Sequence, residues 1–230
     1  AETDMLQEYI AYRVFNAITD KSYRVRLLRI HYDDTDKQLS KKAAHRYGFL
    51  LEPASEFAAR VGVERQRVKM LVTSTLDREY AARMFVFQYL VANTDWSFVH
   101  AEGVDECCHN IDLYSGDTGT LLVPYDMDLA GVVNARYAFP DRTLRISRVT
   151  QRLYRGLCTE REVLQSALRH VKSLRAEILA IPESVSGLSS KDATNTREFL
   201  EKFFVDAENE AKLLDTFEGR CVKPSRRRVE

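Results

Sequence analysis

One predicted helix constrains the fold more than any other part of the sequence. Residues 76–92 have the length of an ordinary helix, and apolar side chains face nearly every direction in its C-terminal half: Met84, Phe85, Phe87, Tyr89, Leu90 and Val91. A helix that is apolar all round is normally buried in the middle of a domain. The helix runs directly into the polar sequence "NTDWS", so we expect polar groups at the end of a core helix.

Residues before this helix predict one helix and two strands. Apolar side chains recur at helical spacing over residues 5–18, at Leu6, Ile10, Val14 and Ile18. Residues 23–32 and 46–52 are rich in β-branched and aromatic side chains, which indicates an antiparallel pair of strands. Pro53 ends the second strand, and a short helix over 54–62 ends at Gly62.

Residues after the central helix predict a hairpin and then helices. Strands over 109–114 and 120–126 are joined by a turn that contains Gly116 and Gly119. The chain then looks irregular as far as Pro140. One long helix is predicted over 159–181, opened by a capping box of Thr159 and Glu162, and a second over 192–217. This order of elements indicates an α+β fold.

Composition excludes several classes of protein. The 230 residues carry 34 Lys and Arg against 34 Asp and Glu, so no global field favours nucleic acid, and we expect no nucleic-acid partner. No apolar run approaches the roughly 18 residues of a membrane span. The four cysteines show no zinc-type spacing, and we expect mostly reduced thiols. The compartment stays open between the cytoplasm and export.

Four polar residues interrupt the apolar elements within a short span. Asp95 ends the buried helix, Asn110 begins the hairpin, and Asp126 and Asp128 follow its second strand. The helix end and the hairpin are consecutive in sequence, so these side chains can meet in space. Oxygen ligands without thiolates favour Mg²⁺ or Mn²⁺ over zinc. Mg²⁺ held by few protein ligands usually also binds phosphate, and a more distant carboxylate could accept a proton from an attacking hydroxyl.

Each of these residues also has a purely structural interpretation. Asp126 and Asp128 could cap the turn after the hairpin, with carboxylates that accept backbone N–H groups. Asp95 could cap the end of the helix. A structural role suits His109 better than a catalytic one, and Glu8 could be an ordinary solvated helix residue.

The motifs "NTDWS", "HNIDL" and "LLVPYDMD" resemble the core of the atypical protein-kinase-like families, especially the CotH and HipA kinases. The stretch "EYIAYRVFNAITDKSYRVRLLRIHYDDTD" is similar to the αC helix and following strands of that group, and the resemblance covers residues 5–135. It implies that Asp95 orients or deprotonates the acceptor. It implies a metal-binding Asn110, a chelating Asp126 and a second metal ligand, Asp128. Glu8 would be the αC glutamate that pairs with a lysine contacting ATP.

The resemblance also implies a domain organisation and cofactors. A partial N-lobe would span 1–53, with a hinge near Glu52 whose backbone groups contact the adenine of ATP. A mainly helical C-lobe with a catalytic β-hairpin would span 54–222, and a basic tail 223–230. The implied cofactors are ATP and Mg²⁺ or Mn²⁺, and the acceptor is an unknown protein or small molecule.

This chain departs from the family pattern in two places. The segment between Asp95 and Asn110 is longer than in ordinary kinases, which leaves Asp105 as a lesser candidate for the role of Asn110. The family carries its lysine and phosphate-covering loop before the αC helix, where this chain begins. Upstream residues of a longer protein would supply them, or the nucleotide site is degenerate.

Two other functions stay open on the sequence alone. One is a kinase-fold binding or scaffold module that has lost catalysis. The other is a phosphotransferase or glycosyltransferase of the Asp-x-Asp type, although no alternating βα pattern follows the motif here.

Overall fold

A computed structural model describes residues 2–36, 38, 45–98 and 107–223. Asp105 and residues 224–230 of the basic tail lie outside these ranges, so the predictions made for them stay untested. The described part of the chain contains seven α-helices and two small antiparallel sheets, and it is a mixed α+β structure. None of its helices has the length and hydropathy needed to cross a bilayer.

The N-terminal part of the fold is one helix against a two-stranded sheet. Helix α1 (Glu2–Ile18) buries the predicted apolar side chains, and strands β1 (Val25–His31) and β2 (His45–Leu51) pair from Val25 opposite Leu51 to His31 opposite His45. Helix α2 (Ala54–Val61) follows Pro53. The antiparallel pairing is confirmed.

The strand predicted over 23–32 is shorter than expected at its start. Tyr23 is 3% exposed, and its hydroxyl contacts the Asp112 carboxylate and lies 2.6 Å from the Tyr114 hydroxyl. These contacts hold the Tyr23 side chain against the hairpin, and pairing with β2 begins at Val25.

The predicted central helix is α3 (Arg78–Leu90). Asp77 caps it by accepting the Tyr80 N–H at 3.0 Å, which places its start two residues later than predicted. Its C-terminal half is buried, as expected, because aromatic rings surround it. Phe87 lies 4.5 Å from the Phe15 ring of α1, and Tyr89 lies 4.9 Å from the Phe217 ring, centroid to centroid.

The predicted hairpin is confirmed, and it belongs to a three-stranded sheet. Strands β4 (Ile111–Gly116) and β5 (Gly119–Pro124) pair antiparallel, and β3 (Glu64–Gln66) adds to the edge of β4. Sequence reasoning missed β3, because three polar and charged residues carry no strand signal. Both sheets described here are antiparallel, which removes the support that a parallel sheet would have given to the Asp-x-Asp type of phosphotransferase.

The C-terminal region contains four helices where two were predicted. The first pair is α4 (Arg161–Ser173) and α5 (Arg175–Ala180), which separate at Leu174. The second pair is α6 (Ser190–Asp206) and α7 (Glu210–Arg220), where the Asn209 side chain accepts the Lys212 N–H and starts a new helix. The predicted capping box is wrong: α4 begins after Glu160, and no side chain caps it.

The prediction of reduced cysteines is also wrong for this structure. Cys107 is bonded to its neighbour Cys108, and Cys158 is bonded to Cys221 across a sequence separation of 63 residues. The second bond joins the segment before α4 to the chain after α7, where Leu157 also bridges Val222. Sequence reasoning missed this pair because residues so far apart in sequence give no local signal.

Candidate functional site

The end of α3 and the segment after β5 are joined by backbone hydrogen bonds. The Gly131 N–H donates to the Ala92 carbonyl at 2.9 Å, and the Val132 N–H donates to the Val91 carbonyl at 3.0 Å. A Cβ atom on Gly131 would lie 2.5 Å from the Val149 carbonyl oxygen, so only glycine allows this close approach. These contacts bring the sequences around Asp95 and Asp128 to the same side of the core helix.

Asp95 is held by the start of the hairpin. The Asn110 side-chain amide donates to the Asp95 backbone carbonyl at 2.8 Å and to its carboxylate at 3.0 Å. The other carboxylate oxygen lies 3.3 Å from Nε2 of His109. Asn93, rather than Asp95, bonds locally at the end of the helix, since its side chain accepts the Asp95 N–H at 2.9 Å. The Asp95 carboxylate is therefore directed at the hairpin and does not cap α3.

Asp126 and Asp128 lie against α1 and the segment that follows them. The Asp126 N–H donates to the Tyr12 hydroxyl at 2.9 Å, and the Met127 N–H donates to the Glu8 carboxylate at 3.4 Å. The Tyr137 hydroxyl donates to the Asp128 carboxylate at 2.8 Å. Neither Asp126 nor Asp128 accepts a backbone N–H from a described residue through its carboxylate, so the turn-capping interpretation has no support here.

The backbone is left-handed at two of these positions. Asn110 has φ 56° and Asp126 has φ 53°. Asn and Asp tolerate this region better than other residues with a Cβ atom. Asn and Asp at these two positions therefore suit both the local backbone and the polar site. Asn110 lies just before β4, and Asp126 lies two residues after the end of β5.

The carboxylates perturb one another strongly. The pKa of Glu8 is raised to about 7, chiefly by burial and also by the negative charges of Asp126 and Asp128, while the hydrogen bond from the Met127 N–H opposes the shift. Burial also raises the pKa of Asp126, together with repulsion from Asp128 and Asp95, and His109 acts in the opposite direction. No lysine or arginine among the described residues forms an ion pair with Glu8, Asp126 or Asp128, so the negative charge of this cluster lacks a counterion there.

Metal binding would need ligands from outside these side chains. In the described ranges, no group of three or more His, Cys, Asp and Glu side chains is arranged to hold one ion. Asn110 uses its Nδ2 for Asp95, which leaves its amide oxygen available as a further oxygen donor. Two carboxylates and an amide oxygen suit Mg²⁺ when phosphate oxygens and water complete the octahedron.

Glu52 lies in a different environment from the other five predicted site residues. Its carboxylate accepts from Nε and Nη2 of Arg60, each at 2.7 Å, and from the Arg24 N–H at 3.0 Å. Burial opposes ionisation of Glu52, but the hydrogen bonds from Arg60 and Arg24 outweigh it and lower its pKa. Its side chain is thus committed to an ion pair with α2.

Sequence reasoning missed two residues that contact the site, Tyr12 and Tyr137, which bind the segment 126–128. His109, for which the sequence favoured a structural role, lies beside Asp95. Tyr12 is one helical turn after Glu8 on α1, at the i, i+4 spacing that places two side chains on one face. That spacing was a signal available in the sequence. Tyr137 had none, because it lies in an irregular segment.

Comparisons with known proteins place few limits on the function. No family model matches the chain, and no curated protein sequence matches it. One similar solved structure is the crystal structure of a Helicobacter pylori proinflammatory kinase, CtkA. That match covers 95% of this chain and 84% of that chain, with a TM-score of 0.47 and 15% sequence identity. Similarity at this level assigns no activity to this chain.

Proposed function

We propose that this chain is part of an atypical kinase-like domain of the CotH or HipA type, which transfers a phosphoryl group from ATP to a hydroxyl with Mg²⁺ or Mn²⁺. One observation carries the proposal. Glu8, Asp95 and the pair Asp126 and Asp128 come from three separate segments, and these four carboxylates form one electrostatically coupled cluster. Within the described ranges, no lysine or arginine forms an ion pair with Glu8, Asp126 or Asp128. Such a concentration of negative charge favours a bound divalent cation.

Each residue has a separate role in this proposal. Asp126 and Asp128 hold the cation, and the amide oxygen of Asn110 assists them. The cation, when bound, binds the phosphate oxygens and offsets the charge that develops during transfer. Glu8 accepts a cationic group that contacts the phosphates. Its raised pKa supports this role, because a positive charge beside Glu8 would stabilise the ionised carboxylate.

Asp95 is the proposed acceptor-orienting residue. Asn110 and His109 fix its carboxylate, which is about one-third exposed, so one face remains open to an acceptor. A carboxylate in this position can accept the proton of an attacking hydroxyl, which typically contributes 10²- to 10⁴-fold to the rate.

A binding module without catalysis is the second candidate. The absence of a three-ligand metal group among the described residues favours it. In that case the carboxylate cluster would bind a cationic partner, and no phosphoryl group would be transferred.

Phosphoryl transfer can be measured directly on the full-length protein. We expect Mg²⁺-dependent formation of ADP from ATP, reduced by at least about 10²-fold in Asp95→Asn. Asp117→Asn changes an exposed aspartate in the β4–β5 turn and serves as the matched control. Thermal unfolding of each variant establishes that it is folded. Wild-type protein that binds ATP but forms ADP no faster than Asp95→Asn would favour the binding module.

A further inference from the structure

The segment 134–148, here called the arginine segment, follows the carboxylate cluster in the chain and exposes two large aromatic side chains. Tyr137 is 54% exposed and Phe139 is 80% exposed, although both are large apolar side chains. The Tyr137 hydroxyl donates to the Asp128 carboxylate at 2.8 Å, so the segment begins within contact of the site. A ligand that contacts Tyr137 would therefore lie beside the cluster.

The arginine segment carries a net positive charge. It contains four exposed arginines, Arg136, Arg142, Arg145 and Arg148, and the single acidic residue Asp141. The Asp141 carboxylate is already used, since it accepts from the Thr143 N–H at 2.8 Å and from the Thr143 hydroxyl at 2.7 Å. The four guanidinium groups form no hydrogen bond or ion pair with any residue in the described ranges. The chain as a whole is neutral, so this is a local feature.

The next two arginines differ from these four. Arg152 donates to the Leu90 and Phe199 carbonyls, and Arg155 donates to the Thr94 carbonyl. Their burial lowers the pKa of each guanidinium. Arg152 and Arg155 therefore have a structural role, since they bind backbone carbonyls. The four exposed arginines make no such contact in the described ranges.

The arginine segment is anchored at both ends. Val133 and Val149, which flank it, are 3% and 6% exposed, and Ala135 within it is 3% exposed. The Ala138 N–H donates to the Ala135 carbonyl at 2.9 Å, and the Leu144 N–H donates to the Asp141 carbonyl at 3.1 Å. The core thus holds both ends of the segment, which reduces the entropic cost of binding a partner.

We propose that the arginine segment docks an acidic polypeptide, which presents a hydroxyl to Asp95. The inference rests on the proposed phosphoryl transfer and names its acceptor class. Arginines pair bidentately with Asp and Glu carboxylates, and exposed aromatic side chains add apolar contact for the residues between them.

A nucleic acid fits this surface less well. Its backbone carries phosphates continuously, and some of them would face the uncompensated carboxylates beside Tyr137. A peptide can confine its acidic residues to one flank and present a neutral Ser, Thr or Tyr to the cluster. Charge complementarity therefore favours a polypeptide whose acidic residues are on one side of the acceptor hydroxyl.

Fluorescence anisotropy tests docking separately from catalysis. The probe is a labelled twelve-residue peptide with one Ser flanked by Glu and Phe, measured against the full-length protein without ATP. A peptide with Lys in place of Glu and a twelve-nucleotide single strand serve as comparison ligands. The variant Arg142→Glu/Arg148→Glu reverses two unpartnered charges of the arginine segment. Lys191→Glu/Lys202→Glu reverses two exposed charges on α6 and is the matched control.

The proposal predicts that the acidic peptide binds wild type and the Lys191→Glu/Lys202→Glu control equally. Arg142→Glu/Arg148→Glu should weaken binding about tenfold or more, and added salt should weaken it in wild type. Wild-type protein that binds the acidic peptide but forms no ADP from ATP with Mg²⁺ would remove the proposed function and leave the docking surface standing. Equal binding of the Lys peptide, equal or tighter binding of the oligonucleotide, or no effect of the arginine reversal would overturn the proposal.

Discussion

The Asn110 side chain donates one hydrogen bond to the backbone carbonyl of Asp95 and another to its carboxylate, at 2.8 and 3.0 Å. This double contact joins the end of the core helix to the first residue of the hairpin. Asn110 is 6% exposed and has a left-handed backbone, so both its side chain and its conformation are constrained. The pair fixes where the Asp95 carboxylate points.

Replacing Asn110 by Ala should destabilise the protein by about 2–3 kcal/mol, because two partly buried hydrogen bonds are lost and Ala is strained at positive φ. Asn134→Ala is the matched control, since Asn134 also has a positive φ, of 50°, but is exposed. The control should cost only about 1 kcal/mol. Urea unfolding measures both free energies, and equal losses would show that the amide contacts to Asp95 contribute nothing.

Glu8→Gln should change how stability depends on pH. The pKa of Glu8 is raised from 4.5 to about 7 in the folded protein, so the folded state binds the proton more tightly than the unfolded state. The stabilisation of the folded state by protonated Glu8 is fully present below about pH 4.5 and is lost as pH rises through about 7. Gln mimics the protonated acid, so the variant should gain about 1–2 kcal/mol over wild type by pH 8, after allowance for solvent screening.

Thermal unfolding from pH 5 to 8 measures this effect. Glu198→Gln removes an exposed carboxylate from α6, and its curve should run parallel to that of wild type. If Glu8→Gln also runs parallel, the carboxylate of Glu8 does not experience the burial and repulsion described above.

Arg60→Ala should destabilise the N-terminal region by about 2–3 kcal/mol. Arg60 binds both oxygens of Glu52 and the carbonyls of Asp20 and Ser22, and the Glu52 side chain is only 9% exposed. Removing Arg60 leaves a nearly buried charge unpaired, which is costly. Arg60→Lys keeps the charge but loses the bidentate geometry, so we expect a smaller loss.

Arg29→Ala, at an exposed position of β1, controls for loss of an arginine and should change stability by less than about 0.5 kcal/mol. Equal stabilities of Arg60→Ala and this control in chemical denaturation would show that the ion pair between Arg60 and Glu52 contributes nothing to stability.

Reduction of the Cys158–Cys221 bond should lower the free energy of unfolding by about 2–4 kcal/mol, because the bond closes a long loop in the unfolded chain. The variant Cys158→Ser/Cys221→Ser should lose this stability. The variant Cys107→Ser/Cys108→Ser should lose much less, because the bond that it removes joins adjacent residues. Alkylation of the denatured, unreduced protein followed by mass measurement should find no modified cysteine. Alkylation of all four would contradict the bonded pairs.

The helices and the hairpin could be predicted from the sequence because their signals are local. The apolar spacing in 5–18 and the nearly uniform apolar run before Asn93 indicate α1 and α3 without knowledge of the partners. The sequence order Asp95, Asn110, Asp126, Asp128 also follows from consecutive elements, so their convergence could be anticipated.

Other features depend on contacts between distant parts of the chain. Strand β3 exists because it pairs with β4, and Tyr137 reaches Asp128 through an irregular segment with no periodicity. The commitment of Glu52 to Arg60 depends on how α2 lies beside the sheet. The two bonded cysteine pairs likewise could not be assigned from spacing alone.

Binding of ATP with Mg²⁺ to the full-length protein tests the central claim most directly. Thermal unfolding of wild type, Asp126→Asn and the exposed control Asp117→Asn is compared with and without the nucleotide and the metal. Asn tolerates the left-handed backbone at position 126, so the variant removes the charge and keeps the shape. At a ligand concentration of 100 times Kd, we expect about 2.7 kcal/mol of stabilisation in wild type and in Asp117→Asn, and little in Asp126→Asn. No stabilisation of wild type, or equal stabilisation of Asp126→Asn, would contradict a nucleotide–metal site at this carboxylate cluster.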